Sequence, residues 1–282
     1  MNGDLKPCLL GDLGGTYLRL AWADNHRLNR QVFRIHDYAD IQSCISAYQE
    51  KSGCKARSFR LASSGHERWP GRWYLTNNAH WREIDFMSLK NSLQLEEFQV
   101  VNDFQAQAYG LSAKNPGIAQ PTCLIGAGSG LGLGYVYRGG QVSESYGGHM
   151  HAAAWTDEQW EILRRYPSEE RQVIFEDLCS GRGLEWLRDN TGEPEQAFHE
   201  FLGIFAHYAV IFGHAYGGLW LTGGVFRYID FEESLFRRWM TGDPAPIVRE
   251  SFDRMPIHRE DATDLAFEGL IGLPDKHTAK VA

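Results

Sequence analysis

Cysteine is scarce in this chain. The five present (Cys8, Cys44, Cys54, Cys123 and Cys179) are an odd number spread over 282 residues, with no C-x-x-C pair, which excludes a disulfide framework and a zinc knot. Cys8 and Cys123 head apolar, strand-like runs, where a cysteine serves as a small core residue. Positive charge is also short: 28 Lys and Arg against 36 Asp and Glu give a net charge of -8. That balance argues against nucleic acid or an anionic membrane as partner. No apolar run reaches membrane-spanning length, and Met1–Pro7 leads into only the short run Cys8–Leu10 rather than the h-region of a secretory signal. A cytoplasmic location is the expectation. Low-complexity and proline-rich linkers are missing too, so any lobe boundary must be a hinge within packed structure, expected around Asn102–Gln105.

What is there is globular. Hydrophobic residues make up 43% and charged residues 23% of the chain, and the length suits one large domain or two of ordinary size. Cys8–Asp24 reads as an apolar strand, a glycine-rich turn and a second strand, with a third at Gln31–Ile35 after the polar turn Asp24–Arg27. Pro121–Tyr137 repeats that plan, followed by Arg138-Gly-Gly and a third strand near Gln141–Val142. A duplication with so long a period predicts two related lobes facing each other across a cleft. Helices are expected at Ile41–Lys51, stopped by Gly53; at Thr156–Tyr166, with Thr156 and Gln159 forming a capping box; from Ser168 to Leu178; from Pro194 towards Phe212; and from Leu265 onwards.

The chemistry concentrates in the turns. In Gly11-Asp-Leu-Gly-Gly-Thr16, the pair Gly14 and Gly15 lets backbone N–H groups approach a phosphate, Thr16 adds a hydroxyl, and the carboxylate of Asp12 is a magnesium candidate; a plain hairpin would also accommodate Gly-Gly. Gly126-Ala-Gly-Ser-Gly-Leu-Gly132 is richer, with Gly126, Gly128, Gly130 and Gly132 around Ser129. Its glycines miss the dinucleotide-binding spacing, a strand rather than a helix follows, and the terminal Lys-Ser/Thr of a Walker loop is absent. A third glycine element, Tyr216–Val225, carries Gly223 and Gly224 after an apolar strand. Asp103 stands where the strand Glu97–Asn102 gives way to a helix. It reads either as a helix N-cap or as a general base that accepts the proton of an attacking hydroxyl. Tyr146-Gly-Gly-His149 and Glu176–Gly181 supply polar groups suited to a polyhydroxylated ligand. His149-x-His151 lacks a third ligand nearby, so zinc is not expected.

In this order the motifs resemble those of the bacterial glucokinases, within the wider hexokinase and actin-like group. Gly11–Thr16 is similar to that family's first phosphate loop, Trp73-Tyr-Leu-Thr-Asn-Asn78 to its Trp-x-x-Thr-Asn segment, Val101-Asn-Asp-Phe104 to its catalytic connection and Gly126–Gly132 to its second phosphate loop. Gly147-Gly-His149, Glu176 with Ser180-Gly181, Gly217-Gly and Gly223-Gly224 follow. The resemblance covers most of the chain. It implies an α/β fold of two ribonuclease-H-like, actin-like ATPase lobes with a catalytic cleft between them: a small lobe at 1–104 that also receives the C-terminal helix of about 262–282, and a large lobe at 105–261. It further implies ATP and magnesium as cofactors and a hexose phosphorylated on its 6-hydroxyl, with closure of the lobes excluding water. Asp103 would be the base, Asn102, His149 and Glu176 would contact sugar, and Asp12 would position magnesium through water. A homodimer is a family expectation.

Three features depart from the family pattern: Tyr146 stands where a glutamate usually precedes Gly-Gly-His, Tyr17 stands where an asparagine usually follows Gly-Gly-Thr, and the stretch from Gly183 to Gly217 is shortened. Tyr146 is therefore included among the sugar-contacting candidates, and glucose is the default substrate. The zinc cysteine motif of the related repressor and open-reading-frame sugar kinases is absent and no helix-turn-helix precedes residue 8, so a DNA-binding regulator is not expected. Two alternatives stand beside the glucokinase-like reading: a noncatalytic sugar- or nucleotide-binding paralogue, and a kinase acting on a different sugar.

Overall fold

The computed structural model describes residues 7–24, 27–76, 78, 80–167, 172–242 and 246–273. The chain forms two compact units, residues 1–114 with 263–282, and residues 115–262. The division falls after residue 114, later than the 104/105 boundary expected from sequence.

In the first unit the strands are β1 (Cys8–Leu13), β2 (Tyr17–Asp24), β3 (Arg27–Arg34), β4 (Ser58–Ser63), β5 (His66–Trp69), β6 (Arg72–Tyr74), β7 (Glu83–Asp85) and β8 (Glu97–Asn102). The helices are α1 (Ile41–Ser52), α2 (Phe86–Ser92) and α3 (Asp103–Lys114). The main sheet has the order β3-β2-β1-β4-β8, in which β1 to β3 are antiparallel neighbours and β4 and β8 run parallel to β1. β3 begins earlier than the expected Gln31 and pairs with β2 along all eight residues. β5, β6 and β7 form a separate small antiparallel sheet.

Every residue of β1 is buried, because both faces of the sheet are covered. Alternation divides it: Leu9 and Leu13 join Phe59, Leu61, Ile45 and Tyr48 on one face, while Cys8 and Leu10 join Ala21, Ala62 and Ala106 on the other. Gly53 ends α1 as expected, in the left-handed conformation at φ 70°.

The second unit repeats the plan. Its strands are β9 (Thr122–Ala127), β10 (Leu131–Val136), β11 (Val142–Ser145), β12 (Leu219–Thr222) and β13 (Ile257–Arg259), in the order β11-β10-β9-β12-β13. Again three antiparallel strands are followed by two parallel ones. Its helices are α4 (Asp157–Arg165), α5 (Phe175–Cys179), α6 (Gly181–Asn190), α7 (Pro194–Gly213), α8 (Glu233–Thr241) and α9 (Pro246–Arg254). The capping box of Thr156 and Gln159 is present at α4. The helix expected from Ser168 instead starts at Phe175; Ser168 itself lies outside the described residues. α7 buries Phe198, Phe201 and Phe205 on one stripe against the core of this unit.

The cysteines expected in the core are there. Cys8 and Cys123 are buried, and burial pushes the Cys44 and Cys123 thiols up to about 12. Among the described residues no helix is long and apolar enough to cross a membrane.

The last helix, α10 (Ala262–Gly272), packs on α3 within the first unit. A Cβ on Gly269 would lie 1.7 Å from the Ala106 carbonyl oxygen, and one on Gly110 would lie 2.0 Å from that of Leu265. The two backbones thus approach more closely than any side chain permits. Arg60 donates to the carbonyls of Leu270 at 2.9 Å and Ile271 at 3.0 Å, satisfying the last turn of α10 with a cation at its negative end. Arg30 reaches Asp264 at 2.5 Å and lies 4.9 Å from the Phe267 ring centroid.

Gly269→Ala gains helix propensity of roughly 1 kcal/mol, yet it must push apart two backbones that cannot yield at 1.7 Å. We expect a net loss of about 1–3 kcal/mol in urea unfolding. Gly272→Ala, whose Cβ meets nothing within 4 Å, should not destabilise.

Candidate active site

The structure groups the candidate residues in two sets, one in each unit. In the first unit, β1, β4 and β8 end side by side: Leu13 pairs with Ser63, and Ser63 with Asn102. The carboxyl ends of parallel strands are where α/β folds present ligand-binding groups. The β1–β2 turn is tight, with Gly14 N–H donating to the Tyr17 carbonyl at 3.0 Å. Gly14, Gly15 and Thr16 are partly exposed at its tip, and Tyr17 is exposed. Asp12 is buried just before the turn and faces its cross-strand partner Arg19, whose Nη1 lies 3.1 Å from Oδ2. Arg19 carried no chemical signal in the sequence, since it stands in an ordinary strand position.

Asn102 takes the capping role that the sequence left open for Asp103. Asn102 Oδ1 accepts from Phe104 N at 2.8 Å and Gln105 N at 3.3 Å, which makes Asn102 the cap of α3. Its Nδ2 donates to the Gly65 carbonyl at 3.2 Å. Asp103 is therefore the first residue of the helix, partly exposed, with Oδ1 accepting from Phe104 N at 3.0 Å. The positive end of α3 is a favourable place for its charge.

The Trp73–Asn78 segment braces this corner. Trp73 Nε1 donates to the Ser64 carbonyl at 3.0 Å, and buried Asn78 accepts from His80 N and Trp81 N at 3.0 and 2.9 Å. Gly65 has a φ of 93°, and a Cβ there would lie 2.0 Å from the Tyr74 carbonyl oxygen. Asn77 lies outside the described residues.

The second unit assembles its set around the β9–β10 turn. Gly128 N donates to the Gly130 carbonyl at 2.8 Å, while Ser129 is exposed at the tip. A Cβ on Gly128 would meet nothing within 4 Å, so this stretch of backbone is open to a ligand. Gly126 pairs with Thr222 at the end of β12. Gly223, at φ 108°, could carry no Cβ because one would lie 2.2 Å from the Ala127 carbonyl oxygen, whereas Gly224 faces open space. Gly217 is different: it stands at the other end of β12, where a Cβ would collide with the Gln120 and Pro121 carbonyls.

Glu176 lies at the centre. It is buried, and its Oε2 accepts from Leu131 N at 2.9 Å, just beyond the glycine turn. Its Oε1 lies 3.8 Å from His149 Nε2 and 3.9 Å from Arg182 Nη2. The α5–α6 corner is tied to the same turn, because Gly181 N donates to the Gly128 carbonyl at 2.8 Å. Gly147 and Gly148 form a buried 3-10 turn whose close approach explains both glycines: Cβ atoms there would lie 2.5 Å from Leu133 Cδ2 and 2.0 Å from the Leu131 carbonyl oxygen. Tyr146 precedes that turn, 47% exposed, its ring centroid 6.2 Å from that of His149. Arg182 was not singled out by sequence reading.

In each unit, then, a strand end, a glycine turn and a carboxylate come together, the arrangement expected for holding phosphates and a hydroxylated partner. The family model for glucokinase matches residues 9–196. A glucokinase of Campylobacter jejuni subsp. doylei is 28% identical, spanning 84% of this chain and 85% of its own. One from Sinorhizobium medicae is 30% identical, spanning 79% and 78%. Among solved structures, glucokinase from Balamuthia mandrillaris in complex with glucose aligns with a TM-score of 0.76 at 19% identity, over 95% of this chain and 93% of that one. A ROK family glucokinase from Streptomyces griseus, in complex with glucose and AMPPNP, aligns at 0.65 and 16%, over 95% and 97%. Those alignments establish the actin-like ATPase fold, which is thus shared with the ROK group. The family match over most of its length makes this chain a member of the glucokinase family.

Proposed function

We propose that this chain is an ATP-dependent hexose kinase that phosphorylates the 6-hydroxyl of glucose or a close relative. The observation that carries the reading is the place of Asp103: Asn102 caps α3, and Asp103 opens that helix, partly exposed, at the end of three parallel strands. Asp103 accepts the proton of the 6-hydroxyl as that oxygen bonds to the γ-phosphorus of ATP, and ADP departs with the electron pair of the broken P–O bond. Gly14, Gly15 and Thr16 in one turn, and Gly126, Gly128, Ser129 and Gly130 in the other, line the phosphates, with the Thr16 and Ser129 hydroxyls as donors, while the N–H groups of Gly14 and Gly128 close their own turns. Gly224 lies open beside the second turn and suits the nucleotide's approach.

The oxygen donor of Asp12 fits a hard cation held through water, with Arg19 sharing the carboxylate. A magnesium ion held there would neutralise phosphate charge. Asn102, His149 and Glu176 recognise sugar hydroxyls, and the product feeds glycolysis in the cytoplasm.

The exposed phenol of Tyr146 favours a second reading, a kinase for a sugar other than glucose. A phenol donates once and carries no charge at neutral pH, so it cannot accept from two hydroxyls as a carboxylate does.

Asp103→Asn should reduce ADP production from magnesium-ATP and hexose by roughly 100- to 10,000-fold while the unfolding transition is retained; undiminished turnover would remove Asp103 from the mechanism. Across a panel of hexoses, amino sugars and polyols, Tyr146→Glu should shift kcat/KM towards glucose. An unchanged preference would show that Tyr146 does not set specificity.

A further inference from the structure

Glu176 is pinned. Its Oε2 is committed to Leu131 N at 2.9 Å, and that bond fixes the direction in which Oε1 points. Two donors stand off from Oε1, His149 Nε2 at 3.8 Å and Arg182 Nη2 at 3.9 Å. Both separations exceed a charge-assisted hydrogen bond by about 1 Å. Such a gap is what a hydroxyl oxygen spans, since it can donate its proton to the carboxylate and accept from the neighbouring N–H at the same time. Two such gaps share one carboxylate oxygen.

We propose that Arg182 is a sugar-binding residue that forms, with Glu176 and His149, a clamp for two adjacent hydroxyls of an uncharged hexose. The proposal rests on the hexose-kinase reading for its ligand. One hydroxyl lies between His149 and Glu176, the other between Arg182 and Glu176.

The backbone around Arg182 is built to hold it there. Ser180 Oγ accepts from Gly183 N at 3.2 Å, and Gly181 N is bonded to the Gly128 carbonyl at 2.8 Å. A Cβ on Gly183 would lie 2.5 Å from the Asp177 carbonyl oxygen, so the corner admits no other path. The Arg182 side chain is 72% exposed and that of His149 41%, against 9% for Glu176. An ion pair so exposed and so long contributes little to stability. A sugar hydroxyl entering the gap converts it into two charge-assisted bonds in a less hydrated setting.

The sign of the charge narrows the substrate. A guanidinium beside the second hydroxyl repels an ammonium, so an amino sugar carrying its nitrogen at that position is rejected, whereas the neutral hydroxyl is held. A deoxy sugar lacking it forgoes the bonds to Glu176 Oε1 and to Arg182 that the second hydroxyl makes.

The test uses the full chain as wild type, Arg182→Ala and Arg182→Lys. Sugar affinity is measured by calorimetry without nucleotide, and KM and kcat with magnesium-ATP, for glucose, its single-position deoxy analogues and 2-amino-2-deoxyglucose. Arg182→Ala should weaken glucose by roughly 5- to 30-fold, with the loss on KM rather than kcat. One deoxy analogue should bind wild type and Arg182→Ala equally, because the hydroxyl and the guanidinium act as a pair. Arg182→Lys, which keeps the charge but not the fork, should restore discrimination against a positively charged amino group more fully than affinity for glucose. Equal glucose affinity in wild type and Arg182→Ala, or the same loss for every deoxy analogue in both, overturns the clamp while leaving the kinase reading intact. Arg182-dependent binding without ADP production supports the clamp and overturns the kinase reading. Absence of both binding and turnover for every sugar overturns both.

Discussion

The N–H of Leu131 points at a carboxylate that is almost out of water, and much of the second unit's candidate site is arranged around that bond. An unpaired buried N–H costs about 1–3 kcal/mol, so Glu176 is required by the fold before it is required by any ligand. The same bond orients Oε1 towards His149 and Arg182. It also fixes the start of β10, over which Gly147 and Gly148 pack too closely for a side chain. One buried charge thereby positions the glycine turn, the 3-10 turn that bears His149 and the corner that bears Arg182. The first unit has an analogous device in Asn102, whose two side-chain ends tie the Gly65 loop and the first turn of α3 together.

The duplicated sheet order explains why two such corners exist. Each unit places an antiparallel trio beside two parallel strands, so each has one strand end where a hairpin turn and a parallel neighbour meet. The turns differ in length and chemistry because their supports differ. The first is closed by the bond between Gly14 and Tyr17 and buttressed by the Asp12–Arg19 pair across the hairpin. The second is closed by the bond between Gly128 and Gly130 and is also held from outside, by Gly181 and Glu176.

Much of this was legible because it rests on local chemistry. Strand–turn–strand units, the Thr156 capping box, the stop at Gly53 and the glycine turns are written in residues close together in sequence, and the structure has them where they were expected. What escaped depends on register and on corners. Arg19 meets Asp12 only because a hairpin pairs them. Arg182 meets Glu176 only because α5 breaks at Ser180 and α6 begins at once. The N-cap ambiguity at Asp103 was of the same kind, since only the geometry assigns the cap to Asn102. The Gly217 pair looked like the Gly223 pair in sequence, but its close neighbours are Gln120 and Pro121, at the opposite end of β12.

In the proposed clamp Tyr146 and Arg182 bear on the same quantity, the charge offered to a sugar. A phenol at 146 contributes no negative charge, and the guanidinium near Glu176 offsets the one carboxylate of this set that lies buried beside His149. A polyol finds in such a site more donors than acceptors, the reverse of what a pair of carboxylates would present. Specificity then comes from donors that must be accepted: a hydroxyl oxygen, with two lone pairs, satisfies them where an ammonium with none does not. The tyrosine ring adds an apolar face beside His149, on which the C–H face of a pyranose can rest while its hydroxyls turn towards Glu176. Recognition built this way discriminates by charge as well as by hydrogen-bond direction, which fits a neutral hexose better than a cationic derivative.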